Sequence, residues 1–379
     1  MKFVLAPDSF KECMSALDAA TAMKRGILKV FPNAETALFP MADGGEGTLD
    51  ALVNFSNGKK YTVLVANPLG EKVAASYGIS GDGKTAFIEV AEACGIQLID
   101  KEKRNPLITT TYGVGEILNV VIKQNVETVI MALGGSCTND GGVGMLQALG
   151  AKFLDADGNS IGVGGAELAK IKQIDLSELN PRLKEINIIA ACDVKSPLTG
   201  PMGATHVFAK QKGASDKDIE VLESAMKNYS QVAKSILGID IDNVPGCGAA
   251  GGLGAAIIGF LNAKIQSGFD IVANYSNIEQ SIKEADIIFV GEGCLDSQTK
   301  QGKVPWGVAQ IARKYNKTVI AFCGKRGEGV NELYKEGIKM SFEITPEGMP
   351  LCIALKLGQE NMERSAYDAC RFIDLFIKP

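Results

Sequence analysis

The two ends of this 379-residue chain carry the same strand–helix–strand grammar, and that repetition limits the fold more than any other feature. Phe3-Val4-Leu5-Ala6 is an apolar run suited to a short buried strand. Ala16, Ala20, Met23, Ile27 and Val30 then recur at helical spacing, Ser15 with Asp18 forms a capping-box signature, and Pro32 stops the helix. Residues 36–39 supply the next strand. Near the other end, 286–290 reads as a strand, 304–315 as a helix, 318–323 as a strand and 339–344 as a further one. Parallel strands need crossovers of this length, so both ends predict a doubly wound parallel sheet.

The middle of the chain follows a different pattern. Residues 61–65 and 73–77 alternate, and 86–90 follows a Gly81-Asp82-Gly83 turn, which predicts antiparallel hairpins. A helix over 111–125, strands at 129–133 and 186–191 and a helix over 216–237 complete it. The length exceeds the roughly 250–300 residues at which one core stops growing, so two domains are expected. The expected fold class is α/β, with one domain made from residues 1–65 plus 270–379 and a mixed α/β domain, 66–269, inserted between them.

Charge and composition exclude several functions. Lys and Arg number 39 against 44 acidic residues, a net charge of −5 without blocks, so the electrostatic footprint of a nucleic-acid partner is missing. The weakly polar stretch 248–261 falls short of the roughly 20 apolar residues of a membrane span. The N-terminal apolar run is interrupted too early for a signal peptide, so a cytoplasmic protein is expected. Nine cysteines without a Cys-x-x-Cys pair fit reduced thiols. The single histidine, His206, removes any mechanism needing two imidazoles and leaves proton transfer to carboxylates.

Residues 134–144, Gly-Gly-Ser-Cys-Thr-Asn-Asp-Gly-Gly-Val-Gly, join a strand to a helix. Backbone N–H groups at such a junction converge and suit a phosphate or carboxylate. Two other motifs match patterns without the required context. Residues 78–85 satisfy the Walker A spacing, but Thr85 leads into a strand where a P-loop needs a helix, so a hairpin turn is expected. Residues 246–251 satisfy the dinucleotide fingerprint, yet a polar segment ending in Pro245 precedes them where a buried strand is required. These glycines are expected to open a helix, either as a second anion-binding terminus or for close packing.

Ligands of open α/β sheets bind beyond the carboxyl ends of the strands. Acidic residues follow four strands: Asp8 with Ser9 and Lys11; Asp43 and Glu46 in a glycine turn; Asp193; and Glu292 with Asp296. Such carboxylates need a cation, a helix terminus or water. Together with Lys11, Lys303 and the glycine loops they are the parts of phosphoryl transfer, in which Mg²⁺ offsets phosphate charge and a carboxylate accepts the proton of the attacking hydroxyl.

Taken together, Pro7-Asp8-Ser9-Phe10-Lys11, residues 42–48, Thr109-Thr110-Thr111-Tyr112-Gly113, residues 134–144, Ala191-Cys192-Asp193-Val194, Gln211-Lys212-Gly213-Ala214, residues 248–252 and Gly291-Glu292-Gly293 with Asp296, Gly302 and Lys303 resemble the bacterial glycerate kinase family over nearly the whole length. The resemblance implies a flavodoxin-like domain with an inserted domain likened to a restriction-endonuclease fold, ATP and Mg²⁺ as cofactors, and D-glycerate as the substrate, phosphorylated at its 2-hydroxyl. The alternatives are the 3-hydroxyl, a related hydroxy acid, or an NAD-dependent hydroxy-acid oxidoreductase. A homo-oligomer is compatible with it. On these motifs Asp193 is the expected base and Asp8, Lys11 and Asp43 the other catalytic groups, with Asp8, Asp43 and Asp193 as metal candidates. Ser9, Asp43 and Glu46 are expected at the substrate; Gly134, Gly135, Ser136, Thr138, Asn139, Asp140, Gly248, Gly251, Gly252, Asp296 and Lys303 at nucleotide or phosphate. Cys294 stands where the family usually has arginine, a charge that Lys325 or Arg326 is expected to replace.

Overall fold

A computed structural model describes residues 1–377 and divides them into two compact units, residues 1–43 with 267–377 and residues 44–266. The first unit is built on a five-stranded sheet, every neighbouring pair parallel, in the spatial order Glu35–Leu38, Lys2–Pro7, Ile287–Leu295, Thr318–Arg326, Ile338–Glu343. Numbered within the unit this is 2-1-3-4-5, the flavodoxin-like order, so the doubly wound α/β class expected of the two ends is what they form.

Local chemistry explains the elements. Lys2–Pro7 is buried after its first residue, as a central strand covered on both faces should be. The helix Ala16–Val30 starts where Ser15 Oγ accepts from Asp18 N at 3.1 Å and Asp18 Oδ2 accepts from Ser15 N at 3.3 Å, satisfying two otherwise orphaned N–H groups. Its buried stripe, including Ala19, Ala20, Met23 and Ile27, joins Phe3, Leu5, Phe289 and Phe322 in one core with the C-terminal helix Gly358–Ile377. The two helices cross closely because residue 26 is glycine: a Cβ there would lie 2.4 Å from Glu363 O.

The second unit has a six-stranded mixed sheet ordered Lys264–Gln266, Asn187–Ala191, Thr128–Ala132, Thr85–Glu89, Lys72–Ile79, Lys59–Ala66. The first three neighbouring pairs are parallel and the last two antiparallel. Its boundary lies elsewhere than at the expected 65/66. Lys59–Ala66 pairs along its whole length with Lys72–Ile79, which brings residues 44–65 into the second unit. At the other junction Ser267 caps the helix Gly268–Ser276, and Phe269 of that helix packs on Gly307, so 267–269 belong with the first. The Walker-like residues 78–85 end one strand and start its antiparallel neighbour, a hairpin turn with no helix behind it.

The helix over 111–125 is shorter than expected, Tyr112–Val121. The larger departure is at 246–254. Residues before Gly246 form no strand, and the helix Ala249–Leu261 is interrupted at once by Ala250, Gly251 and Gly252 at φ 51°, 66° and 90°. Close packing accounts for this. A Cβ at Gly251 would come 1.9 Å from Thr138 O, and one at Gly254 would come 2.1 Å from Gly246 O. The glycines therefore do not open a regular helix, and the oxidoreductase alternative loses the strand its fingerprint requires.

Candidate active site

Site residues expected from the sequence fall into two groups, one in each unit. In the first unit, three parallel strands end together. Lys2–Pro7 runs into Asp8, whose N–H donates to Gly291 O at 2.8 Å and whose Oδ1 accepts from Ser9 N at 2.7 Å. Burial pushes the Asp8 carboxyl well above the usual range, Asp43 and Glu292 push it further, and Ser9 N–H and Lys11 oppose them. Asp8, Asp43 and Glu292 thus concentrate negative charge at the carboxyl edge of the sheet.

Glu292 is 5% exposed and is held on both oxygens: Oε1 accepts from Thr299 Oγ1 at 2.5 Å and Oε2 from Lys303 Nζ at 3.0 Å. Burial raises it, against those two donors. Burial disfavours the Lys303 ammonium, but Glu292, Asp296 and Asp43 outweigh it and raise the amine. Asp296 serves the turn Ser297–Gln301, accepting from Gln298 N at 2.8 Å, while Cys294 Sγ lies 3.5 Å from Asp296 Oδ2. Of the two cations expected to replace the missing arginine, Arg326 is engaged through N and Nε with Glu343 Oε1 at 2.7 and 3.4 Å. Lys325 pairs in register with Cys294.

In the second unit the glycine loop joins Thr128–Ala132 to the helix Val143–Ala148. Asp140 is 1% exposed and accepts from Thr111 N, Thr111 Oγ1, Thr110 Oγ1, Gly142 N and Gly144 N at 2.7 to 3.4 Å. Its carboxylate is consumed in shaping the loop and in tying it to residues 110–111. Asn139 donates from Nδ2 to Thr205 Oγ1 at 3.1 Å, whereas its buried Oδ1 has no hydrogen-bond partner among the described residues. Gly134 and Gly135 lead the loop, Gly134 N donating to Gly44 O at 2.9 Å. Gly248, Gly251 and Gly252 are buried, and the last two press against the loop. Asp193 lies two residues beyond the end of Asn187–Ala191. Glu46 is exposed just before the helix Thr48–Phe55, so the acidic glycine turn is split, Asp43 in the first unit and Glu46 in the second.

Two residues without an assigned role in the sequence analysis stand out here. Lys212, 2% exposed, donates from Nζ to Thr138 O at 2.7 Å and Ser136 Oγ at 3.1 Å, so an ammonium sits under the glycine loop. Burial brings its pKa down to about 8, opposed by Cys137, Cys94 and Asp140. Glu89, 5% exposed at the end of Thr85–Glu89, accepts from Leu49 N at 3.2 Å. Burial brings it up to about 7, against that bond and with help from Glu92, Asp50 and Glu46. The Lys212 motif was visible in sequence, but its burial was not. His206 pairs with buried Glu223, Nδ1 to Oε2 at 3.3 Å.

The fold is that of a two-unit α/β protein, with a glycine loop in one unit and a cluster of lysines and carboxylates in the other, groups of the kind phosphoryl transfer uses. Comparison with known proteins gives the family. The sequence model of the glycerate kinase family matches residues 3–374. The chain is 46% identical over 366 residues to glycerate 2-kinase of Escherichia coli K12, covering 97% of this chain and 96% of that one. It is 45% identical over 375 residues to a glycerate kinase of Bacillus subtilis 168, covering 99% and 98%. A crystal structure of glycerate kinase 2 from Salmonella typhimurium LT2 matches with a TM-score of 0.84 at 43% identity, covering 99% of both chains. The chain belongs to the glycerate kinase family. It is accordingly a kinase, an enzyme that transfers a phosphoryl group to an alcohol acceptor. Among the described residues, no helix is long and apolar enough to cross a membrane.

Proposed function

We propose that the enzyme transfers the γ-phosphoryl group of ATP to D-glycerate at the 2-hydroxyl, giving 2-phospho-D-glycerate. The observation that carries this reading is the charge cluster at the carboxyl edge of the first sheet, where Asp8, Asp43 and Glu292 face Lys11 and Lys303. The E. coli relative's name supports the position of transfer. Asp8 beside Asp43 offers the one or two carboxylates through which Mg²⁺ accompanying a triphosphate is held. Among the described residues no group of three or more His, Cys, Asp or Glu would hold a metal alone. Bound there, Mg²⁺ supplies charge neutralisation for the phosphates.

The chain's own groups do the rest. Asp193 accepts the proton of the glycerate hydroxyl; Ser9, Lys11, Asp43 and Glu46 orient the acceptor. The amides of Gly134 and Gly135, Ser136, Thr138 and Asn139, with Gly248, Gly251 and Gly252, form the polar surface for phosphate, shaped by Asp140. Lys303 adds positive charge, and Asp296 fixes the turn that carries it.

A coupled ADP-release assay with Mg-ATP and D-glycerate, L-glycerate as control and phosphorus NMR of the product tests the reaction. A 3-phospho product overturns the position, and absence of glycerate-dependent ADP overturns the acceptor. Asp193→Asn should lower kcat by roughly 10² to 10⁴ with the fold intact; a loss below about tenfold removes Asp193 from the base role.

A further inference from the structure

The first unit also holds a cavity of about 660 Å³, and of its lining residues only Lys11 has a role assigned above. Its walls come from the carboxyl ends of four parallel strands and the segment 345–355: Phe10 and Lys11, Gly293, Gly324 and Lys325, then Glu343 and Ile344. This is the edge of a doubly wound sheet at which ligands bind.

Size, lining and charge limit the ligand. The volume falls within the roughly 300–1,000 Å³ of small-molecule sites and is far larger than a three-carbon acid needs. Phe10 and Ile344, each 3% exposed, back an apolar wall, and Leu351 stands at its rim 73% exposed. A flat, largely apolar ring system would cover that surface. Lys11 and Lys325 line the same cavity and take part in no salt bridge among the described residues. Of the two carboxylates in the lining, Glu343 is engaged by Arg326 and Glu347 is exposed.

The cavity is also continuous in chain with the acidic cluster. Lys11 lines the cavity and acts on Asp8; Gly293 follows Glu292. A Cβ at Gly324 would meet Gly293 O at 2.8 Å, so glycine there lets the strand ends close, whereas a Cβ at Gly293 would meet nothing within 4 Å. A side chain at 293 would project into open space beside Glu292.

We infer that this cavity receives the nucleoside end of the phosphoryl donor, a purine nucleoside triphosphate. The base lies against Phe10, Ile344 and Leu351, and the first phosphates lie toward Lys325, with Lys11 between them and the acceptor. The inference rests on the kinase reading.

Photolabelling of the full-length enzyme with 8-azido-ATP and Mg²⁺, followed by peptide mapping, tests it directly. Label competed by ATP should appear between residues 344 and 356. ATP-competed label on 134–144 or 246–254, or no ATP-competed label at all, overturns the inference. Gly293→Leu and Leu351→Asp should each raise KM for ATP about tenfold or more, with KM for glycerate within about twofold of wild type. Wild-type KM for ATP in both variants overturns it as well. Calorimetry with ATP and no acceptor keeps the two readings apart. A protein that binds ATP, labels at 344–356 and leaves glycerate untouched fails the acceptor assignment and keeps the cavity.

Discussion

Lys212 and Glu89 are buried ionisable groups, and their environments shift them in opposite directions for the same reason: each would be charged in water and is penalised for it inside. Burial brings the Lys212 ammonium down to about 8 from its ordinary 10.5. The unfolded chain therefore binds more protons between those values, and the stability this residue withholds at neutral pH returns as pH rises from about 8 to 10.5. Lys212→Met should remove that dependence in urea titrations. If the ammonium orders Ser136 and Thr138 for phosphate, kcat in the wild type should fall above pH about 8, with Lys212→Arg retaining more activity than Lys212→Met. Glu89 is raised from 4.5 to about 7, so its contribution is fully present below pH 4.5 and lost as pH rises through 7. Glu89→Gln keeps an acceptor for Leu49 N and should stabilise the protein at pH 8 by roughly 1–3 kcal/mol, with no gain at pH 4. A thermal-shift series across pH reads both outcomes. Asp8 is raised likewise, by burial and then by the neighbouring Asp43 charge, which fits a site that sacrifices stability for ligand binding.

Between elements, the critical join is that of the glycine loop with the start of Ala249–Leu261. Three successive left-handed residues are costly for ordinary side chains, and at Gly251 the backbone of Thr138 leaves no room for a methyl group. Gly251→Ala should cost roughly 3 kcal/mol or more, because strain and overpacking add. Gly47→Ala, at φ 88° but with nothing within 4 Å of the added Cβ, should cost only the roughly 1–2 kcal/mol of the backbone conformation. Equal losses in denaturant unfolding would mean that contact with Thr138 is unimportant. This join also shows where sequence reading stops. The glycine pattern at 246–254 signals either a helix start or a close approach, and the choice depends on a chain segment more than a hundred residues earlier. By contrast the Ser15–Asp18 box and the 80–84 turn lie within a few residues of what they control, and the structure forms both as expected.

For the whole molecule, a large buried core in each of the two compact units predicts more than one cooperative transition. The single tryptophan, Trp306, lies in the helix Val304–Lys314 of the first unit. Its fluorescence should report that unit alone, while far-UV circular dichroism reports both. The two urea curves should therefore not coincide, and ATP should move the fluorescence curve to higher urea if the cavity holds the nucleoside. Superimposable curves would show one cooperative block.

Sequence alone determined what is encoded locally or by repeated spacing: the strand and helix order at both ends, the hairpins, the glycine loop, the family motifs and the preference for carboxylate chemistry with one histidine. Apolar periodicity, caps and turn residues act within a few positions, so they can be read without the fold. Tertiary structure decided what depends on distant partners. It moved the boundary to residue 43 because Lys59–Ala66 found its neighbour in Lys72–Ile79. It assigned Asp140 to shaping a loop, buried Lys212 beneath that loop, and gathered four strand ends around one cavity. Burial, register and charge proximity are properties of segments brought together from far apart in the chain, and no local pattern records them.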